Sequence, residues 1–216
     1  TQDSPFVWKE YYNTIRTNLR FTGHGEKCPV YAITSADTAE GKTLNTINLA
    51  ISYSQLGKKT LVIDADMRKS SMSTALDISL LDGLSEYLAG IVDTPFIKEY
   101  FDDLFVISSG EIPPNPAELL SGSRWHDFLE NCKKDYDVIF IDLPPVGIVA
   151  DALLLSKDAT AYVLIVKEKV TKLDRERMAV SKLEALGANI CGFIYNGISV
   201  RSQEYTYKHY GKEYFY

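Results

Sequence analysis

At 216 residues, 45% of them apolar, the chain has material for one compact domain with a substantial core, and a formal charge of −6 excludes a broad basic footprint for nucleic acid. Apolar runs such as Ala159 to Val166 stop short of the ~18 to 20 residues of a membrane helix. Thr1 to Trp8 carry neither a basic stretch nor an apolar signal core, so a soluble cytosolic protein is expected. Cys28, Cys132 and Cys191 are odd in number and lack C-x-x-C spacing, while His24, His126 and His209 stand at no metal-ligand spacing. Reduced thiols and no structural zinc are predicted.

In chain order, Ser4-Pro5 reads as the N-cap and first turn of a helix reaching about Phe21, with Phe6, Ile15 and Leu19 on its apolar side. Val30 to Thr34 reads as a buried strand, the segment from Lys42 to about Leu56 as a helix, and Thr60 to Ile63 as a second strand. Leu104 to Ile107, Val138 to Ile141, Ala161 to Val166 and Ile190 to Tyr195 continue the strands; Ser123 to Lys134 and Lys172 to Leu186 read as helices. Gly57 and Gly187 follow helices where a left-handed residue is wanted. The alternation predicts an α/β domain over residues 1–200, a mostly parallel sheet with helices on both faces. Ser108 to Pro116 is a turn-rich connection at the sheet's ligand-binding edge. Residues 201–216 are polar and tyrosine-loaded and read as a flexible tail.

Ala36-Asp37-Thr38-Ala39-Glu40-Gly41-Lys42-Thr43 fits the Walker A pattern G-x-x-x-x-G-K-[ST], with alanine for the first glycine. Its place between a predicted strand and a predicted helix aims backbone N–H groups and a helix N-terminus at phosphates. Asp37, Thr38, Ala39, Glu40, Gly41, Lys42, Thr43 and Leu44 are therefore the candidate nucleotide-binding residues, Lys42 for the β and γ oxygens and Thr43 for Mg²⁺. Two further strands end in carboxylates: Leu61-Val62-Ile63-Asp64-Ala65-Asp66-Met67-Arg68 and Val138-Ile139-Phe140-Ile141-Asp142-Leu143-Pro144-Pro145. A single aspartate there is as readily a solvated cap; three at the edge that carries the phosphate loop favour a Mg·ATP site.

These motifs resemble the bacterial protein-tyrosine kinases (BY-kinases) of capsule and exopolysaccharide synthesis, in their short, membrane-free form. The family's Walker A′, apolar residues then D-x-D-x-R, is intact at Asp64, Asp66 and Arg68, and its Walker B, D-x-P-P, at Asp142, Pro144 and Pro145. Gly83-Leu84-Ser85 and Pro113 to Leu120 look like the family too, and the likeness runs from Ser4 to the end. It implies a P-loop NTPase fold of MinD/ParA type. Lys42, Asp64, Asp66, Arg68 and Asp142 become catalytic candidates, with Thr43, Asp64 and Asp142 around the metal. Asp64 or Asp66 is expected as the base that takes a tyrosine proton, the resemblance favouring Asp64. Departures lie at Thr38-Ala39, where Pro-Gly is common, at Leu44, where Ser or Thr is common, and at Ser70, where proline often follows.

The tail has weight of its own. Tyr205, Tyr207, Tyr210, Tyr214 and Tyr216 place five of fourteen tyrosines in the last twelve residues, where usage of about 3% predicts fewer than one. By resemblance these are phosphorylated on one subunit by its neighbour. The resemblance also implies a ring-like homo-oligomer, a separate transmembrane modulator that recruits the chain to the inner face of the membrane, and an opposing phosphatase. The family's E-x-x-R-x-x-R self-association motif stands here as Glu10-x-x-Asn13-x-x-Arg16. Two rival readings remain: a MinD- or ParA-like ATPase, disfavoured because Asp37 replaces the signature lysine, and a catalytically weak nucleotide-dependent scaffold.

Overall fold

The structure, a computed structural model, describes residues 6–198 except residue 24, with side chains from residue 9 onward. The expected Ser4-Pro5 cap, His24 and the tyrosine cluster lie outside the described residues. The chain begins with helix α1 (Phe6–Thr22) and continues into β1 (Val30–Ser35), α2 (Lys42–Ser54) and β2 (Thr60–Asp64). Two short helices follow, α3 (Ser71–Leu76) and α4 (Leu84–Leu88), then strands β3 (Ile97–Phe101) and β4 (Leu104–Ile107). Helices α5 (Pro116–Ser121) and α6 (Ser123–Asp135) lead to β5 (Val138–Asp142), and α7 (Asp151–Leu154) to β6 (Ala161–Lys167). Helix α8 (Leu173–Glu184) and strand β7 (Ile190–Asn196) are the last elements among the described residues.

The seven strands run in the order β3-β4-β2-β5-β1-β6-β7. All neighbours are parallel except β3, which pairs antiparallel with β4. Strands β1, β2 and β5 are buried along their whole length, the run-on apolar pattern of strands covered on both sides. Alternate residues feed two cores. Val30 and Ala32 face Trp125, Phe128, Leu129, Ala179 and Leu183 on α6 and α8, whereas Tyr31 and Ile33 face Leu19 of α1 and Leu49, Ala50 and Tyr53 of α2.

The expected strands and long helices form within a residue or two of the sequence reading. Gly57 and Gly187 close their helices at φ 68° and 69°, where a side chain would be strained. The hairpin strand β3 went unread because Ile97-Lys98-Glu99-Tyr100-Phe101 is only half-buried and carries two charges mid-strand. Its turn rests on Asp103, held at φ 62°, whose carbonyl accepts the N–H of Thr60 at 2.8 Å. The turn lies at the amino end of β4, opposite the carboxyl ends of the parallel strands. The sheet order places the carboxyl ends of β1, β2 and β5 side by side, which is where open α/β sheets bind ligands.

Candidate active site

The phosphate loop spans from the last residue of β1 to the first turn of α2. Ser35 donates its hydroxyl to the Asp37 carbonyl at 2.6 Å, and the Thr38 N–H donates to the Asp37 carboxylate at 2.8 Å. Ala39 sits at φ 59° and Gly41 at φ 97°. That φ favours glycine at 41, and a Cβ there would also displace the Asn196 side-chain amide. Across the loop, Thr34 donates to the Pro144 carbonyl at 2.8 Å and accepts the Val146 N–H at 3.1 Å, fastening the Pro144-Pro145 segment to β1. The backbone of Gly147 then passes so close to the Ala36 carbonyl that a Cβ at 147 would collide with it.

Thr38, Ala39, Gly41, Lys42, Thr43 and Leu44 line one side of a cleft of about 340 Å³. Asp66, Arg68, Lys69 and Ser71 form a second wall, and Pro144, Pro145, Ile148 and Val149 an apolar third. Of the sequence candidates, Asp37, Glu40, Asp64 and Asp142 are not part of this lining. Glu40 is fully buried and turned into the protein, and Asp37 is tied up within the loop.

Under the cleft, the register of β2 against β5 places Asp64 beside Asp142. Asp142 accepts the Thr43 hydroxyl at 2.5 Å and the Thr46 hydroxyl at 3.4 Å. Asp64 is wholly enclosed: one oxygen accepts the Asp66 N–H at 3.2 Å, the other the Ser70 hydroxyl at 3.1 Å. Burial pushes the Asp142 carboxyl up to about 6, opposed by the Thr43 hydrogen bond and the Lys42 charge. Asp64 is raised well above the usual range, first by burial and then by the charges of Asp142 and Asp66. Asp66 is raised by burial against the pull of Lys42.

Two buried carboxylates pressed together, with a threonine hydroxyl on one of them, are a hard-oxygen donor set that a divalent cation would relieve of its repulsion. No group of three or more His, Cys, Asp or Glu forms a metal cage among the described residues. An ion here would complete its shell from phosphate oxygens and water, as Mg²⁺ does beside nucleotides. Left-handed Gly41 and a helix N-terminus facing the cleft make the loop fit a polyphosphate.

Asp151, missed in the sequence, opens α7 and is almost completely buried. Its two oxygens accept Arg68 Nε at 2.7 Å and an Arg68 terminal nitrogen at 2.9 Å, a bidentate pair that fixes the guanidinium at the cleft wall. Its only local signature was an acidic residue nine positions after Asp142, which no spacing rule connects to an arginine 83 residues upstream. Ser70, the departure from proline in the Walker A′ segment, proves to be a hydrogen-bond donor to Asp64. On α1, Arg16 is turned inward onto the Ser52 carbonyl of α2, and Asn13 donates to Glu10 at 3.1 Å within the helix.

A family model described as an AAA domain matches residues 30–174. The chain is 37% identical over 208 residues to the tyrosine-protein kinase CpsD of Streptococcus agalactiae, an alignment covering 94% of this chain and 90% of that protein. The kinase domain of the Escherichia coli tyrosine kinase ETK superposes with a TM-score of 0.85 at 32% identity, over 89% of this chain and 76% of that one. The septum site-determining protein MinD of Pyrococcus horikoshii, solved with Mg-ADP, superposes with a TM-score of 0.66 at 24% identity, over 81% of this chain and 73% of that one. That second likeness is one of fold, and the P-loop architecture is common to both. The chain belongs to the bacterial protein-tyrosine kinases of P-loop fold, the BY-kinases, and is a protein-tyrosine kinase.

Proposed function

We propose that the chain moves the γ-phosphoryl group of Mg·ATP onto tyrosines of its own C-terminal cluster, Tyr205, Tyr207, Tyr210, Tyr214 and Tyr216, in trans between subunits. In doing so it would regulate capsule or exopolysaccharide synthesis and export. The observation that carries this reading is the convergence of Lys42, Thr43, Asp66 and Arg68 on one cleft, directly above the Asp64–Asp142 pair.

Bound Mg·ATP supplies the transferable group and a divalent charge. The chain's own contribution is positioning and charge. Lys42 and Arg68 bring two cations to the side where negative charge spreads during transfer. Thr43, Asp64 and Asp142 are the residues that would hold the ion. A tyrosine hydroxyl, with a pKa of ~10, reacts at neutral pH when a carboxylate removes its proton as the new bond forms. Asp64 is enclosed and doubly hydrogen-bonded, whereas Asp66 borders the cleft. The open position of Asp66 supports Asp66 as the base in this reading, with Asp64 beside the ion. The raised basicity of Asp66 suits that work.

Residues 199–216 span at most ~60 Å when extended, which sets the limit on the reach between subunits. Self-association through α1 into a ring, a transmembrane modulator that brings the chain to the membrane, and an opposing phosphatase complete the proposal. With Arg16 spent on Ser52, Glu10 and Asn13 are left as the motif's outward members. The deciding experiment mixes two chains with Mg·ATP: a Lys42→Met full-length chain and an otherwise intact chain truncated before Tyr205. An anti-phosphotyrosine signal on the Lys42→Met chain supports transfer in trans. Its absence, with wild type labelled, rejects it, and an unlabelled wild type rejects the autokinase reading altogether.

A further inference from the structure

The phosphate loop of this chain is short of glycine where such loops usually have it. Ala39 nevertheless holds the left-handed conformation, φ 59°, and its side chain is exposed, so packing of its methyl group does not hold it there. A conformation disfavoured for an L-residue persists only where the surroundings over-determine it. Here the surroundings are the carboxyl ends of β6 and β7. Lys167 Nζ donates to the Ala39 carbonyl at 3.0 Å, and Asn196 Nδ2 donates to the Glu40 carbonyl at 2.9 Å.

The Glu40 side chain completes the hold from inside. It is fully buried, and one carboxylate oxygen accepts the Asp37 N–H at 3.0 Å, closing the loop on itself across three residues. The other oxygen accepts the Thr171 hydroxyl. Thr171 is itself set by accepting the Lys167 N–H at 2.8 Å and by donating its own N–H to the Lys167 carbonyl at 3.0 Å. A buried carboxylate with one oxygen on a loop amide and the other on a fixed hydroxyl has one orientation. Behind it lies Glu176 of α8, buried and without a hydrogen bond among the described residues, its carboxyl raised to about 7 first by burial and then by the Glu40 charge.

We propose that Glu40 is a positioning residue, oriented by Thr171, that presets the loop for the nucleotide phosphates in place of the missing glycines. This rests on the reading of the cleft as a Mg·nucleotide site. It concerns the loop's shape before ligand arrives, and the shape can be read without any kinase activity. A loop already folded loses less freedom on binding, so the effect falls on affinity.

The test uses the full chain and the variants Thr171→Val, Thr171→Ser, Glu40→Gln and the Glu40→Gln/Thr171→Val double. Hydrogen exchange of the segment 36–41 is followed without nucleotide, and Mg·ADP binding by calorimetry. Thr171→Val, isosteric but without the hydroxyl, is expected to speed exchange in that segment and raise the Mg·ADP Kd about tenfold, the scale of one hydrogen bond to a charged group. Thr171→Ser should restore most of both. Glu40→Gln should weaken binding alone, and adding Thr171→Val to it should cost less than about a further twofold, because the two act through one contact. In turnover the loss should appear in the KM for ATP more than in kcat.

Wild-type exchange and affinity in Thr171→Val would overturn the proposal. So would fully multiplicative losses in the double variant, or a Thr171→Ser chain as weak as Thr171→Val. If the exchange and binding differences appear in a chain that labels no tyrosine, the positioning role stands and the autokinase reading falls. A wild type that binds no Mg·ADP removes the premise, and the positioning proposal with it.

Discussion

Strand β5 carries two chemistries two residues apart. At Phe140, rings from three elements meet: Tyr31 lies 5.5 Å and Tyr53 5.3 Å from the Phe140 centroid. Tyr31 donates its hydroxyl to the Leu19 carbonyl at 2.7 Å, so burial, which raises its pKa, leaves no polar atom stranded. At Asp142, by contrast, burial sets like charges side by side and pushes the carboxyl up to about 6. The middle of the strand packs into the core, and its carboxyl end sets two buried carboxyls side by side, where a cation would relieve their repulsion. Stability and function are thus separated along one strand by the direction in which the sheet opens.

Phe140→Ala should produce the largest change in folding, about 3–5 kcal/mol, because it empties the centre of the ring cluster. Urea unfolding of the nucleotide-free chain measures it, and a loss under about 1 kcal/mol would mean the rings are not a unit. At the other end, Lys42→Met should lower tyrosine phosphorylation roughly a hundred- to thousandfold, since it removes a cation aimed at the transferring group. Circular dichroism should show the variant folded, with a smaller loss in urea unfolding than Phe140→Ala, which separates transfer from folding.

Asp142→Asn should behave in the opposite sense to Phe140→Ala, stabilising the nucleotide-free chain at pH 7 by roughly 1–3 kcal/mol. An acid whose folded pKa, about 6, exceeds its ordinary value of 3.8 binds more protons folded than unfolded between those values. Stability from this group is therefore complete at low pH and lost as pH rises through about 6. Melting against pH should show the variant and wild type converging below about pH 4 and diverging above it. A parallel pair of curves would show that Asp142 is not strained. The same variant should fail to bind Mg²⁺-dependent nucleotide.

Smaller effects refine the contrast. Asp151→Asn leaves Arg68 with a neutral partner and should reduce phosphorylation about tenfold, with little change in Mg·ADP affinity. An equal loss in both measurements would place Arg68 on the nucleotide rather than on the transfer step. Tyr31→Phe, which deletes one buried hydrogen bond and keeps the ring, should cost about 1 kcal/mol in urea unfolding.

The parts legible in the sequence were those with local cause. Strands β1, β2 and β5 read as unbroken apolar runs because both faces are covered, and the loop at Gly41-Lys42-Thr43 read as a phosphate turn because it joins a strand to a helix. Gly57 and Gly187 marked helix ends through a conformation that only glycine takes freely. Asp64 and Asp142 were visible because each ends an apolar run with a carboxylate, and Asp66 because it stands two residues beyond Asp64. From these the α/β class and the motif set followed.

Tertiary structure alone decided which of these residues face the cleft. The β2–β5 register pairs Asp64 with Asp142, and the segment after β2 brings Asp66 to the cleft wall. The Arg68–Asp151 pair, the Thr171 hydroxyl on Glu40 and the Asn196 amide on the loop join residues 83, 131 and 156 positions apart. No period or spacing in a single chain encodes such contacts, because they form only when the sheet order has put distant loops at one edge. Local propensity determined what each segment is, and packing of β6 and β7 beside β1 determined what the phosphate loop leans on.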